Sequence, residues 1–457
     1  MAKIGILPLG RPTFDVPFAQ EQLVQMLAVL DASGHEVVGP RDLLFDAAAT
    51  QTAITDLIAA KVDQVLLLQV TFTDASMTVH VANAFPDVPL SIWAVPEPRL
   101  GGRLRLNAFC GLNLASHALG LNGRAFGWLY AVPDDAQAAV ADLLSGQRMS
   151  GKLSAKWIQL DAPSPTAKRL KGLKIGRIGT HPDGFDTCAY DVATLKTLTG
   201  IDVQTLELTD LFDTARAVDA TAAANLRSEA DTLLDGLDEL DQQELDKSLR
   251  LKLALDDLKR RHSLDAFAIR CWPETFTEYG GAVCGPVSML GEARVPCACE
   301  ADVYGAVTQM ILQDVADAPV FLVDLVDMDV QDNSGVVWHC GQAPSSMAAK
   351  HPSATIHTNR KMPLLYEFAL KPGRVTLVRL SQAHGEPKLI LSGADMLDRP
   401  MAFTGTSGVM RFDRPAAAVL DDVIGSGLEH HMALVYGDFR PQLRQLAATL
   451  GLPVLEI

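Results

Sequence analysis

Between Lys3 and about Val132 the chain alternates short apolar runs with stretches of helical period. KIGILPL is followed by Phe18 to Leu30, HEVVG by Thr52 to Ala60, QVLLLQV by Ala75 to Ala84, and PLSIWAV and GWLYAV close the series. Apolar runs of strand length separated by amphipathic helices are satisfied by a parallel sheet with helices on both faces. Ligands of such sheets gather beyond the carboxyl ends of the strands, where Gly10, Arg11, Pro12, Thr13 and Phe14 follow the first one.

Gly146 to Lys174 loses this periodicity and is rich in Ser, Pro, Lys and Gly, and LKIGRIG opens a new strand after it, so a boundary is expected near Ala167. The theme then repeats: a helix from Asp191 to Thr199, VQTLEL, a long charged region from Ser228 to Arg261, DAFAIRCW and PVFLVDLVD. The run DELDQQELDKSLRLKLALDDLKRR spaces opposite charges as a helix does and reads as a solvated face or a subunit contact. Beyond His339 the texture changes to ATIHT, RVTLVRL, PKLILSG and VMRF, separated by KPG, HGEP and FTGTSG, the pattern of antiparallel strands. The expected architecture is α/β. Two Rossmann-like parallel-sheet domains, 1–166 and 167–340, precede a β-rich, barrel-like domain, 341–457; Glu300 and Asp324 fall in the second and His431 in the third.

Several function classes drop out. A formal net charge of -16 without a basic run would repel a nucleic-acid backbone. No apolar run reaches the length of a membrane span. The start AKIGILPLG lacks the parts of a signal peptide, and seven cysteines without a regular spacing suit a reducing cytoplasm. No phosphate loop, no G-x-G-x-x-G after a strand and no G-x-S-x-G is present. Cys297 and Cys299 have no second pair to complete a zinc set, so small buried thiols account for them better.

Four contexts in the last third carry metal-binding chemistry: CACEAD, FLVDLVD, VVWHCG and GLEHHMALV. Glu300 opens the helical stretch EADVYGAVTQMILQDV, where a carboxylate gains from the helix dipole as a cap or as a ligand. Asp324 ends the run PVFLV, and burying an acid there is costly unless it meets a cation or donors. Asp327 and Asp329 follow closely, so any of the three is a candidate. His339 closes an apolar strand. His430 and His431 are adjacent, so in regular structure only one should reach a given metal. Two carboxylates with one or two imidazoles suit Mn2+ or a similar divalent ion with open positions.

At these contexts the chain resembles the L-fucose and L-arabinose isomerase superfamily, and most closely a fucose-isomerase-like branch carrying RCWPE and WHCG. The resemblance implies two α/β domains and a β-rich one, a small sugar as substrate, and a homo-oligomer, a trimer or hexamer. It makes Glu300, Asp324, His339 and His431 metal ligands, with Glu300 and Asp324 also moving protons between the carbons and oxygens of an ene-diolate. Arg11, Trp272, Glu274 and His430 are candidates for binding substrate, Arg11 across a subunit interface. Trp272 also fits core packing, and Glu274 a surface turn. An anionic sugar would need a second basic residue, such as Arg177 or Arg440. An epimerase or aldolase on the same site, and a non-catalytic sugar-binding protein, are the rival readings.

Overall fold

Central strands buried on both faces, with more exposed strands at the edges, build two parallel sheets, and a chain that stops alternating with helices closes a barrel. The computed structural model describes residues 1–159 and 161–457. In the first sheet β1 (Lys3–Leu9), β2 (Glu36–Val38), β3 (Gln64–Gln69), β4 (Leu90–Ala94) and β5 (Gly127–Tyr130) run parallel in the order β2-β1-β3-β4-β5. The helix Ala108–Leu121 has no charged side chain and is buried all round, because it is wedged between this sheet and the barrel. In the second sheet β6 (Lys174–Ile178), β7 (Asp202–Leu206), β8 (Ala266–Ile269) and β9 (Cys297–Ala298) are parallel in the order β7-β6-β8-β9. The charged run lies on the helix Gln242–His262, capped by Asp241. It pairs Arg250 with Asp246 and Lys252 with Asp256 one turn apart, while Leu245, Leu249 and Leu255 face the core.

The remaining strands are β10 (Phe321–Asp329), β11 (Ser334–His339), β12 (Ser353–Thr355), β13 (Leu365–Ala369), β14 (Gly373–Ser381), β15 (Lys388–Met396), β16 (Thr406–Phe412), β17 (His431–Tyr436) and β18 (Val454–Glu456). Six of them close a ring of antiparallel pairs, β16-β11-β10-β17-β14-β15 and back to β16, so the β-rich domain is a barrel.

This topology corrects two expectations. PVFLVDLVD was assigned to the central parallel sheet, but β10 and β11 belong to the barrel, so the change of sheet precedes the expected boundary at 340. A continuous apolar run reads alike in both settings: here the helix Val303–Ala316 packs with Leu322, while Phe321 and Val323 join the main core. The expected strand ATIHT stops at Thr355, because the His357 imidazole accepts the backbone N–H groups of Asn359 and Arg360 and folds a loop instead. Among the described residues no helix is long and apolar enough to cross a membrane.

The glycine-rich loop after β6 docks on the first domain, where Ala75 N–H donates to Gly184 O at 3.0 Å. Gly184 has φ +74, and a Cβ there would stand 2.5 Å from Asp74 Oδ1 and 2.8 Å from Ser76 N. Gly184→Ala should therefore cost about 1–3 kcal/mol of stability, read as a lower urea midpoint.

Candidate active site

Glu300 sits on a tight turn, Cys299–Ala301, between β9 and the helix Val303–Ala316. It was expected as a possible helix cap, but that place belongs to Asp302, whose side chain accepts from Gly305 N–H at 2.7 Å. Glu300 and Ala301 are both left-handed, φ 52 and 53, a conformation that side-chain-bearing residues hold only when their surroundings enforce it. Trp272 Nε1–H donates to Glu300 Oε1 at 3.1 Å, which leaves Oε2 turned toward the barrel.

On the barrel side Asp324 is the cross-strand partner of His431 in β17 and of Trp338 in β11, so the sheet register itself puts Asp324 and His431 on one face. His431 Nε2 lies 3.1 Å from Glu300 Oε2 and 3.3 Å from Asp324 Oδ1. All three atoms are buried without a hydrogen-bond donor. Behind them His431 Nδ1 lies 2.9 Å from Asp302 Oδ2, and Arg379 grips Asp302 with Nη1 at 2.5 Å and Nη2 at 3.1 Å. Arg379 and Asp302 are each about 1% exposed in their side chains, and His431 is sealed from solvent. An Nδ1–H donated to Asp302 fixes the ring so that the Nε2 lone pair points at the two carboxylates.

Electrostatics make the same point. Burial alone would raise the pKa of Glu300, but the neighbouring His430 and His431 imidazoles hold it well below the usual range. Burial, aided by the Glu300 charge and opposed by His431, pushes Asp324 up to about 7. Burial favours a neutral His431, yet its bond to Asp302 and the nearby Cys188 and Glu300 outweigh burial and raise its pKa well above the ordinary value. The space therefore draws in positive charge. Glu300, Asp302 and Asp324 place three carboxylates around His431 against the Arg379 guanidinium, an acid-rich set to which a divalent cation is suited. Metal bonds of about 2.1–2.3 Å at right angles place ligand atoms about 3.0–3.2 Å apart, close to the two separations from His431 Nε2, and His431 belongs to two groups that could hold an ion, one with Glu300, His430 and Cys188 and one with Asp324 and His339. The donor set fits a divalent metal.

The other candidates divide. Asp327 is satisfied by Arg99 Nε at 2.5 Å and Tyr130 O–H at 2.6 Å, and Asp329 accepts from Asp332 N–H, so Asp324 is the acid that faces the cavity. His339 lies beside His431, with ring centroids 5.6 Å apart, and forms with Asp324 and His431 a group that could hold a metal ion. Its Nδ1 accepts Cys340 N–H at 2.9 Å, Nε2 is buried without a partner, and burial with the nearby His431 pushes its pKa down to about 3. His430 does not diverge from His431. It precedes β17, free of strand alternation, and its ring stacks on His431 at 3.9 Å with Nε2 3.5 Å from Glu300 Oε2.

Trp272 lines the cavity, whereas Glu274 turns away to pair with Arg270 Nε at 2.8 Å. Arg11 lines the same cavity within one chain, so it reaches the site without a second subunit. Of the basic residues held in reserve, Arg440 is paired with Asp438 and Asp413, and Arg177 packs over Tyr190. Arg360, unmarked in the sequence, lines the cavity instead. Cys297 and Cys299 are buried free thiols, and Cys299 Sγ accepts from Gln342 Nε2.

Residues 5–146 match the family described as fucose/sulfoquinovose isomerase, N-terminal domain. A sulfoquinovose isomerase of Alkalicoccus urumqiensis is 31% identical over 462 residues, covering 100% of both chains. Those of Priestia aryabhattai and Clostridium sp. (strain MSTE9) are each 30% identical, covering 98% of this chain and 97% and 98% of their own.

Removing one member of the buried relay strands the other. Arg379→Leu, which leaves Asp302 without its counter-ion, should cost about 3–5 kcal/mol, measured by chemical denaturation. A loss below about 1 kcal/mol would show that the pair is not what holds His431.

Proposed function

Because the chain belongs to the fucose/sulfoquinovose isomerase family and is an aldose-ketose isomerase, an intramolecular oxidoreductase, we propose that it converts sulfoquinovose to its ketose with a divalent metal, Mn2+ in the first instance, held by Glu300, Asp324 and His431. The observation that carries this reading is the meeting of Glu300 Oε2, His431 Nε2 and Asp324 Oδ1 in one buried space with no donor between them. Such a metal, when bound, supplies Lewis acidity toward the negative charge that builds on the sugar oxygens.

The chain's own residues do the rest. Isomerisation takes a proton from C2 of the aldose and returns one to C1, while the hydroxyl proton of O2 ends on O1. Glu300 and Asp324 stand on the cavity wall from different elements and serve as the groups that accept and return these protons. Trp272 fixes Glu300 through Oε1 and leaves Oε2 for the reaction. His339 adds its Nε2 to the group formed with Asp324 and His431, and His430, whose ring nitrogens have no hydrogen-bond partner, binds a sugar hydroxyl. Asp302 and Arg379 act through His431 as positioning residues. A cytoplasmic setting belongs to this reading, supported by seven cysteines that are all free thiols, and a homo-oligomer follows from the family resemblance alone.

The test is to incubate manganese-loaded protein with sulfoquinovose in deuterated water and to follow the C2 proton and the products by NMR. Ketose formation with exchange at C2 is the expected result. An epimer alone, or carbon-carbon cleavage, would overturn the assignment. Glu300→Gln and Asp324→Asn should each lower kcat by about 10²–10⁴-fold, as expected of lost acid-base groups. Chelation should abolish turnover and manganese should restore it, while His431→Ala should lose stoichiometric metal by elemental analysis.

A further inference from the structure

Two guanidinium groups crowd the mouth of the cavity, and only one has a carboxylate. Arg11 Cζ stands 5.3 Å from the centroid of the Trp272 ring and Arg360 Cζ 5.7 Å from it. Phe72 lies under Arg11 at 5.4 Å and Phe276 under Arg360 at 5.9 Å, so aromatic faces hold both cations in place. Arg11 Nη2 pairs with Asp74 Oδ2 at 3.0 Å; among the described residues no carboxylate lies within ion-pair distance of Arg360. The two loops that carry them are tied together: Arg103 donates to Asn359 Oδ1 at 3.1 Å and to Thr13 O at 2.7 Å. Burial lowers the pKa of both arginines, and each is a charge taken partly out of water.

We propose that Arg11 and Arg360, flanking Trp272, form an anion subsite that grips the C6 sulfonate of the sugar and sets the enzyme's preference for anionic over neutral aldoses. This rests on the isomerase reading above and deepens it. The charge count favours a sulfonate: two guanidiniums less Asp74 leave one positive charge, matched by a monoanion, whereas a phosphate ester carries about −1.5 to −2 at neutral pH. Planar guanidinium forks also suit an anion with several oxygens on one centre.

Reach agrees with charge. Trp272 offers its Nε1 edge to Glu300 and its ring to the two arginines, so the anion subsite and the reacting end are an indole apart. A six-carbon chain spans about 6 Å end to end from its bond lengths. A sugar with C1 and C2 at Glu300 thus presents C6 to Arg11 and Arg360.

The experiment compares manganese-loaded wild type, Arg360→Met, Arg360→Lys and Arg11→Met on sulfoquinovose and on quinovose, the same sugar with a methyl group at C6. Steady-state kinetics and calorimetric binding are read side by side. Arg360→Met should lower the ratio of kcat/KM for sulfoquinovose over quinovose by about 10–100-fold, mainly through KM, in line with the loss of a charge-assisted hydrogen bond. Arg360→Lys should recover part of that ratio, since it keeps the charge and loses the fork. Equal losses on both sugars, or none, would overturn the subsite while leaving the isomerase intact. If wild type turns over neither sugar yet binds sulfoquinovose with an affinity that depends on Arg360, the isomerase reading fails and the subsite stands. Glucose 6-phosphate binding as tightly as sulfoquinovose would overturn the choice of sulfonate.

Discussion

Two carboxylates brought to 3.1 and 3.3 Å from one imidazole nitrogen in a buried space repel or demand a proton unless a cation joins them. Much of the surrounding structure answers that demand. Asp302 and Arg379 hold the imidazole from behind, Trp272 holds one carboxylate from the side, and the barrel register sets the second carboxylate opposite the imidazole. An uncompensated buried charge is so costly that these contacts must be satisfied together.

The three parts of the fold contribute unlike components. The second parallel sheet ends at β9 and offers Glu300 on a strained turn, and the barrel supplies Asp324, His339 and His431. The first domain brings Arg11, and the loop after β12 brings Arg360. The chain crosses from sheet to barrel through one helix, Val303–Ala316: Glu300 stands on the turn just before it, and Asp324 lies within β10, the strand that follows it.

Legibility in the sequence followed the range of the interaction. Parallel sheets were visible because strand and helix periods are local, whereas Glu300, Asp324 and His431, each readable alone as a cap, a strand-end acid or a core histidine, stood out only through the joint order of their contexts. The sheet to which β10 belongs was not, since an apolar run looks alike beside parallel and antiparallel neighbours. Asp302 was hidden behind its neighbour Glu300, and Arg379 lies 77 residues from the acid it neutralises, inside a strand whose sequence reads as ordinary barrel wall. Arg360 sits in a loop formed by a side-chain to backbone bond at His357, which no period reveals. Glu274 misled because a turn after a strand marks a position near the cavity without fixing which way a side chain points.

The loop that carries Arg360 is held by local contacts, two N–H groups on one imidazole and two backbone bonds that tie His357 to Met362 and Lys361, with one bond to Arg103 and no place in either parallel sheet. Surface loops accept insertions and replacements far more readily than packed strands do. Descendants of this chain have an inexpensive route to new diets, in which a rewritten loop exchanges one terminal group for another while the barrel keeps the chemistry at the opposite end of the sugar unaltered.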